Sequence, residues 1–292
     1  MEPGIIECVP NLSEGRDPRA IAIFAERVRE RPGVELLDYS GDADHNRSVF
    51  TFIGSPNAVI EAALSLAREA VDRIDLNRHT GVHPRIGAVD VVPFVPVAGT
   101  RMEDCARVAT EFAHQLWAQL RVPSFLYEQA AVRPEYRNLE EVRRCARGGA
   151  PPDIGEARHP TAGACAVGAR DFLIAWNIWL DTPAIEIAKR IARAVRFSSG
   201  GFPGVKALGL PLRSRGIVQV SINSTDFRST PLHMVFEAAS AVAAQAGVRV
   251  RGSELIGMIP QSALDLSAGH DLRWLNLAPA RIIRQQQPTM SN

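Results

Sequence analysis

Phe172-Leu173-Ile174-Ala175-Trp176-Asn177-Ile178-Trp179-Leu180-Asp181-Thr182-Pro183 is the stretch that decides the fold. Its apolar, aromatic and β-branched run predicts a buried strand. The Thr-Pro that follows predicts a helix start, with a capping hydroxyl and then proline at the first helical position, where a missing N–H costs nothing. Ile187, Ile191 and Val195 then recur at helical spacing. The same punctuation occurs three more times. Asp17-Pro18 opens a helix with Ile21, Ala25 and Val28 on one face, stopped by Pro32-Gly33. Ser55-Pro56 opens one with Val59, Ala63, Leu66, Ala70 and Ile74, and Thr230-Pro231 one with Val235, Ala239, Val242 and Ala246. A fifth helix is expected over Met102 to Leu120.

Between the helices lie β-rich runs at Ile5 to Val9, Val34 to Asp38, Val49 to Ile53, Val89 to Val95, Ser124 to Leu126, Ile217 to Asn223 and Val248 to Ile259. Residues 5 to 127 therefore read βαβ, then βαβ with a further helix and strand. Residues 172 to 260 read βα, a paired β segment around 205 to 223, then αβ. The expected fold class is α+β, an α/β sandwich of two related subdomains, residues 1–171 and 172–292. Each is expected to be a split βαβ, ferredoxin-like antiparallel sheet with helices on one face. Arg147 to Gly168, rich in Gly, Pro and Ala, reads as a long irregular connection, and such loops in compact proteins are functional or disordered.

Composition narrows the function. The chain has 292 residues, 46% hydrophobic and 22% charged, enough to fold around a sizeable core. Its 33 basic and 32 acidic residues leave a net charge of +1, so no bulk field draws it to nucleic acid or to a membrane surface, and anion binding must be local. All the basic residues except Lys189 and Lys206 are arginines, which codon bias in a GC-rich genome explains. The longest apolar stretches, Val89 to Ala98 and Phe172 to Leu180, reach about half of a membrane span. The first residues have neither the basic nor the apolar region of a secretory signal. Cys8, Cys105, Cys145 and Cys165 form no CxxC pair, as expected of a reducing cytoplasm. The sequons at Asn11, Asn46 and Asn223 are then chance matches.

Four constellations can carry chemistry. Arg78-His79-Thr80-Gly81-Val82-His83-Pro84-Arg85 precedes a strand. Its two histidines are four apart, but Gly81 and Pro84 break the helix that would align them on zinc, and no HExxH is present. Acid/base work suits them better, with Arg85 keeping an imidazole neutral. For His79 a plain turn histidine is an equal reading; for His83, function leads. In the segment around Arg158 and His159, Gly163 to Gly168 has phosphate-loop spacing, yet Ala169-Arg170 replaces Lys-Ser/Thr and a strand follows. A glycine-rich, backbone-exposing loop remains, equally a ligand loop or a solvent-exposed linker. Ser198 to Lys206 reads as an ordinary hairpin connection before it reads as a lid whose Lys206 meets a carboxylate. In Asp42-Ala43-Asp44-His45-Asn46-Arg47 the acids are turn formers, while Arg47, beside a strand, leans to ligand binding. Asn177 and Asn223 are amides in apolar runs, each either a satisfied core group or a site-lining one.

These residues bring in a resemblance. The chain resembles the formiminotransferase domain family in Ile6-Glu7-Cys8-Val9-Pro10-Asn11-Leu12-Ser13-Glu14-Gly15, in His79 through Asp90, in Gly163-Ala164-Cys165-Ala166-Val167-Gly168-Ala169-Arg170, in Val218 to Asn223 with Thr225-Asp226, and in Ser253 to Pro260. The matches run in family order from residue 5 to about 265. The resemblance implies transfer of a formimino group from N-formimino-L-glutamate to N5 of tetrahydrofolate, the co-substrate, in histidine breakdown. It also implies no metal, two α/β subdomains with a positively lined folate tunnel between them, and a homodimer. The family's catalytic histidine falls on His83. Its folate-binding loop falls on Gly155, Glu156, Ala157, Arg158, His159, Pro160, Thr161, Ala162 and Gly163. Arg47, His79, Arg85, Asn177, Lys206 and Asn223 complete the expected binding set.

Three positions depart from the family's pattern: Trp179 where a second Asn is frequent, Glu156 where Pro is usual, and Ser40 where an acid is common. The expected form is a stand-alone one, without an all-helical cyclodeaminase domain. The alternatives are formyl transfer between 5-formyltetrahydrofolate and glutamate, which the same imidazole would serve, and a non-catalytic folate-binding relative, against which His83 and Arg85 argue. With the family in view, the charge balance reads as acidic helix surfaces offsetting an inward set of Arg47, Arg85, Arg158 and Lys206 around His83.

Overall fold

The computed structural model describes residues 4–43, 45–81, 84–212 and 215–283. They form two compact units, divided after Arg170.

The first unit contains β1 (Ile5–Cys8), β2 (Asn11–Leu12), α1 (Pro18–Arg29), β3 (Val34–Asp42), β4 (Arg47–Gly54), α2 (Pro56–Arg73), β5 (Val89–Ala98), α3 (Met102–Leu120), β6 (Ser124–Glu128), α4 (Leu139–Arg147) and β7 (Cys165–Ala169). Asp17 caps α1 as expected, its carboxylate accepting the Arg19 N–H at 2.8 Å. β1 and β2 both lie between β4 and β5, with antiparallel pairing on each side. The break at Val9-Pro10 is bridged by Val9 N–H to the Pro93 carbonyl and Phe50 N–H to the Pro10 carbonyl.

Two features correct the expectation for this unit. Its seven-stranded sheet is mixed, because β7 inserts between β5 and β6 and runs parallel to both. Parallel neighbours need crossover connections. α3 carries the chain from β5 to β6, and α4 with the segment after it returns the chain to β7. Helices also occupy both faces. Leu126, Cys165 and Val167 join the core that α1, α2 and α3 cover, whereas Phe125, Tyr127, Ala164 and Ala166 pack with Val142 and Ala146 of α4. The period-2 alternation of β6 and β7 feeds two separate cores. The stretch read as an irregular connection therefore ends in the fully buried strand β7.

The second unit contains β8 (Ile174–Leu180), α5 (Ile185–Val195), β9 (Val205–Leu212), β10 (Ile217–Ser224), α6 (Leu232–Gln245) and β11 (Val250–Ile256), followed by β12 (Ile259–Pro260), α7 (Gln261–Asp265) and β13 (Ile282–Ile283). Its main sheet has the order β11-β8-β10-β9, antiparallel throughout. The Thr-Pro signals mark these helix starts one or two residues early, because both hydroxyls act outside the helix. Thr182 Oγ1 accepts the Ala184 N–H ahead of α5, and Thr230 Oγ1 donates to the Pro203 carbonyl.

Gly209 places α5 on the sheet, since a Cβ there would lie 2.4 Å from the Lys189 nitrogen. Val220, opposite Gly209, and Ile178, opposite Val220, share that face. Asn177, Trp179, Gln219, Ser221, Asn223 and Lys206 lie on the other face. Among the described residues no helix is long and apolar enough to cross a membrane.

Candidate functional site

The polar cluster of the first unit starts from Asn46, whose positive φ of 49° turns the chain from β3 into β4. Both polar atoms of its side chain are engaged: Oδ1 accepts the Gly15 N–H at 2.9 Å and Nδ2 donates to the Thr80 carbonyl at 3.0 Å. The turn thereby holds the start of the His79–Arg85 motif. Arg85 reaches back from the far end of that motif and donates to the carbonyls of His45 (2.8 Å) and Asn46 (3.0 Å). It also donates to His79 Nδ1 at 2.8 Å. A guanidinium has no acceptor, so Nδ1 receives this bond and the imidazole is held neutral. Burial first, and then the Arg85 charge, push the His79 pKa below the usual imidazole range.

Arg47 sits beneath, with Nε and an Nη both donating to Asn11 Oδ1 at 3.0 and 2.7 Å. On its other side Asp90 lies 3.4 Å away. Burial lowers the Arg47 pKa to about 10; Asp90 opposes the shift, while Arg143 and Arg85 add to it. The group remains a cation at neutral pH. Asp90 is itself buried, accepting the Ile86 N–H at 2.8 Å and Arg143 of α4 at 2.7 Å.

The segment from Gly155 to Gly163 is stitched to the same motif. Leu76 N–H meets the Thr161 carbonyl, Asn77 Nδ2 the Pro160 carbonyl, Ala88 N–H the Ala162 carbonyl and Ala164 N–H the Ile86 carbonyl, at 2.8 to 3.0 Å. His159 and Gly163 exchange backbone bonds, and His159 Nδ1 accepts the Ala162 N–H at 3.0 Å, so this ring serves its own turn. Glycine is required at 163: φ is +71°, and a Cβ would lie 2.3 Å from the Ile86 carbonyl oxygen. Glu156, Ala157, Arg158 and Pro160 are exposed. The Arg158 guanidinium turns to the Ala146 carbonyl near the end of α4.

The first unit thus brings together Arg47, His79, Arg85 and the loop 155–163. His83 and Asp44 lie outside the described residues. Asn177, Lys206 and Asn223 belong to the second unit and share the sheet face turned away from α5, with Asn223 directly opposite Lys206. Asn177 Nδ2 donates to Glu254 Oε2 at 3.0 Å, and Trp179 Nε1 donates to the same oxygen at 3.3 Å. The Trp179 indole that departs from the family's pattern is therefore a second donor to the carboxylate that Asn177 meets. Arg215 lies over its ring, 4.5 Å from the centroid. Among the described residues no group of three or more His, Cys, Asp or Glu could hold a metal ion.

Sequence reasoning missed Asn11, Asp90 and Arg143 as parts of this cluster. Asp90 carried a usable signal, a lone acid inside the apolar run Val89 to Val95, the same kind of signal that singled out Asn177.

Together these features define a class: a two-unit α+β chain whose first unit presents a neutral imidazole and buried guanidinium groups beside a glycine-hinged loop. The N-terminal subdomain model of the formiminotransferase domain matches residues 5–170 and the formiminotransferase domain model matches residues 175–278, and the chain belongs to that family. It is 44% identical over 270 residues to the glutamate formimidoyltransferase of Streptococcus pyogenes serotype M1, covering 89% of this chain and 90% of that one. Identity to the glutamate formimidoyltransferase of Thermoplasma acidophilum is 36%, over 99% of both chains. The formimidoyltransferase-cyclodeaminase of Gallus gallus is 42% identical over 89% of this chain, which spans only 51% of that longer protein.

Proposed function

We propose that this chain transfers the formimino group of N-formimino-L-glutamate to N5 of tetrahydrofolate, giving 5-formiminotetrahydrofolate and L-glutamate, a step of histidine degradation. The observation that carries the reading is near-full-length similarity to glutamate formimidoyltransferases. The cluster of Arg47, His79 and Arg85 against the 155–163 loop supports it. In the reaction the N5 lone pair forms a bond to the amidine carbon, and the N5 proton passes to the neutral imidazole of His83. The bond from that carbon to the glutamate nitrogen then breaks as the imidazolium returns a proton to that nitrogen. Such a relay contributes roughly 10²- to 10⁴-fold. Arg47 and Arg85 hold carboxylates, for which a planar fork of donors is suited. Residues 155–163 contact folate, and Asn177, Lys206 and Asn223 of the second unit are assigned to folate binding as well.

We place the subdomain boundary at 171/172, supported by the division after Arg170 and by the interval between the two family models. We read each unit as a split βαβ, ferredoxin-like plan, with α3, β6, α4 and β7 an addition to the first. The order β3-β4-β1/β2-β5 mirrors β9-β10-β8-β11 and supports this. A homodimer acting in the cytoplasm completes the reading; the free cysteines agree with the compartment, and light scattering tests the dimer. The deciding assay measures glutamate release from formiminoglutamate plus tetrahydrofolate, with 5-formyltetrahydrofolate plus glutamate as comparison. His83→Ala is expected to abolish release with an unchanged unfolding transition. Near-normal turnover in that variant removes His83 from the mechanism. Tight folate binding without turnover by the unaltered protein points to a binder.

A further inference from the structure

One carboxylate on β5 joins β4, α4 and the segment that precedes β5 in the first unit. Asp90, the second residue of β5, is 1% exposed. Its Oδ1 accepts the Ile86 N–H at 2.8 Å, closing the segment that runs from His79 through Pro84-Arg85. Its Oδ2 accepts from Arg143 of α4 at 2.7 Å and lies 3.4 Å from the Arg47 guanidinium of β4. Asn11 of β2 holds the opposite edge of Arg47 through two bonds. Arg47 is therefore clamped between a neutral acceptor and a charged one. The charged one also fixes the backbone three residues after His83. Arg143 supplies the second cation. Its Nε has no hydrogen-bond partner among the described residues, so Asp90 anchors the guanidinium.

We propose that Asp90 is a positioning residue of the transfer site. It sets the Arg47 guanidinium where a carboxylate of the substrate meets it and fixes the backbone that follows His83, while Arg143 keeps Asp90 ionised and oriented. Only the identity of the ligand met by Arg47 rests on the transferase reading. The charge matters more than the shape: without it Arg47 and Arg143 face one another, and removing one partner of a buried ion pair leaves an uncompensated charge.

Asp90→Asn keeps the side-chain shape and an acceptor for the Ile86 N–H while deleting the charge. We expect KM for the anionic substrates to rise about 10- to 100-fold, the scale of a displaced binding group, with a smaller fall in kcat. Arg47→Met should raise KM equally, and the double variant should be no worse than Arg47→Met alone, because residues acting through one another are non-additive. Additive losses, or a lower kcat at unchanged KM, overturn the proposal. Should Asp90→Asn fail to fold, Asp90→Asn/Arg143→Gln removes the stranded cation as well and is read by the same cycle. A return to the unaltered KM in that background also overturns it. Independently of turnover, hydrogen exchange at Arg47 Nε in the ligand-free, 15N-arginine-labelled protein should be about 10-fold faster in the variant, as for a group released from a closed state. Unchanged exchange refutes the positioning role, whereas absence of turnover in the unaltered protein removes the transferase reading alone.

Discussion

Replacing Glu7 by Gln is expected to stabilise the first unit, by an amount that depends on pH. Glu7 lies in β1 between Ile6 and Cys8, both in the core under α1, α2 and α3, so its own side chain points to the opposite face of the sheet. There it is 4% exposed. Burial raises its pKa from 4.5 to about 7, against the pull of Arg170. The folded chain therefore binds the Glu7 proton more tightly than the unfolded chain does. The stability this contributes is fully present below about pH 4.5 and is lost as pH rises through about 7. The difference between 4.5 and about 7, at 1.36 kcal/mol per unit, is about 3 kcal/mol lost by pH 8.5. Glutamine is neutral in both states and loses nothing. Glu7→Gln and the unaltered chain should thus be equally stable near pH 4.5 and diverge through pH 6 and 7. By pH 8.5 the variant's urea midpoint should lie about 1 M higher, for a slope of roughly 3 kcal/mol per molar. Effects of other titrating groups cancel in the difference when they are distant from Glu7. A difference that stays flat from pH 5 to 8.5, or a variant that grows less stable than the unaltered chain as pH rises, refutes the assignment of a buried, proton-holding carboxyl to Glu7.

Two substitutions test the loop and the second sheet. Gly163→Ala forces a side chain into a left-handed position against the Ile86 carbonyl and should cost about 1–3 kcal/mol while raising KM for folate. Gly149→Ala, with φ +82° and nothing within 4 Å, is the control and should leave KM unchanged; equal effects of the two on KM would sink the fit argument. Trp179→Phe keeps a ring over the sheet but deletes the donor to Glu254, and should lower stability in urea by about 1 kcal/mol. An unchanged midpoint would mean that Asn177 alone satisfies that carboxylate.

What the sequence made legible depended on how each element advertises itself. α1 and α2 begin at the predicted prolines, and Met102–Leu120 matches its prediction, because long amphipathic helices with capping signals show both a period and a boundary. β7 was hidden. Cys165-Ala-Val-Gly-Ala has only Val167 among the β-branched and aromatic residues that mark strands, and small residues suit it because the aromatic ring and backbone of Tyr127 lie under 3 Å from where a Cβ on Gly168 would sit. α4 was hidden for the opposite reason. Charged residues make up five of the nine in Leu139–Arg147, which leaves little apolar period to find, yet Arg143 is buried, and its approach to Asp90 shows why. At the site, Arg47, His79 and Arg85 stood out as polar groups beside strands. The partners that fix them were not assigned to the cluster, since the pairing of Asn11 and Asp90 with Arg47, and of Asp90 with Arg143, is a property of tertiary contact that no local pattern shows.

The charge balance shows the same division between what a count reveals and what placement reveals. Many of the acids are spent on exposed helix pairs, such as Arg27 with Glu30 in α1, Arg144 with Glu141 in α4 and Lys189 with Glu186 in α5. Pairs of this kind add little stability and are screened by salt. In the interior of the first unit the pattern differs. Arg47 and Arg143 converge on the buried Asp90, and Arg85 also feels its field. A charge of +1 summed over the chain is therefore compatible with a cationic interior, because the neutralising acids lie mostly on the surface. The members of that interior set are also sharpened. Arg158 gives its guanidinium to the Ala146 carbonyl, whereas Arg143, from a helix the sequence did not announce, reaches into the cluster. Buried ion pairs are little affected by added salt, so this arrangement keeps its geometry under conditions that dissolve the surface pairs. In the proposed site, guanidinium groups that meet an anionic substrate would keep that placement because burial against Asp90, rather than contact with solvent, fixes them.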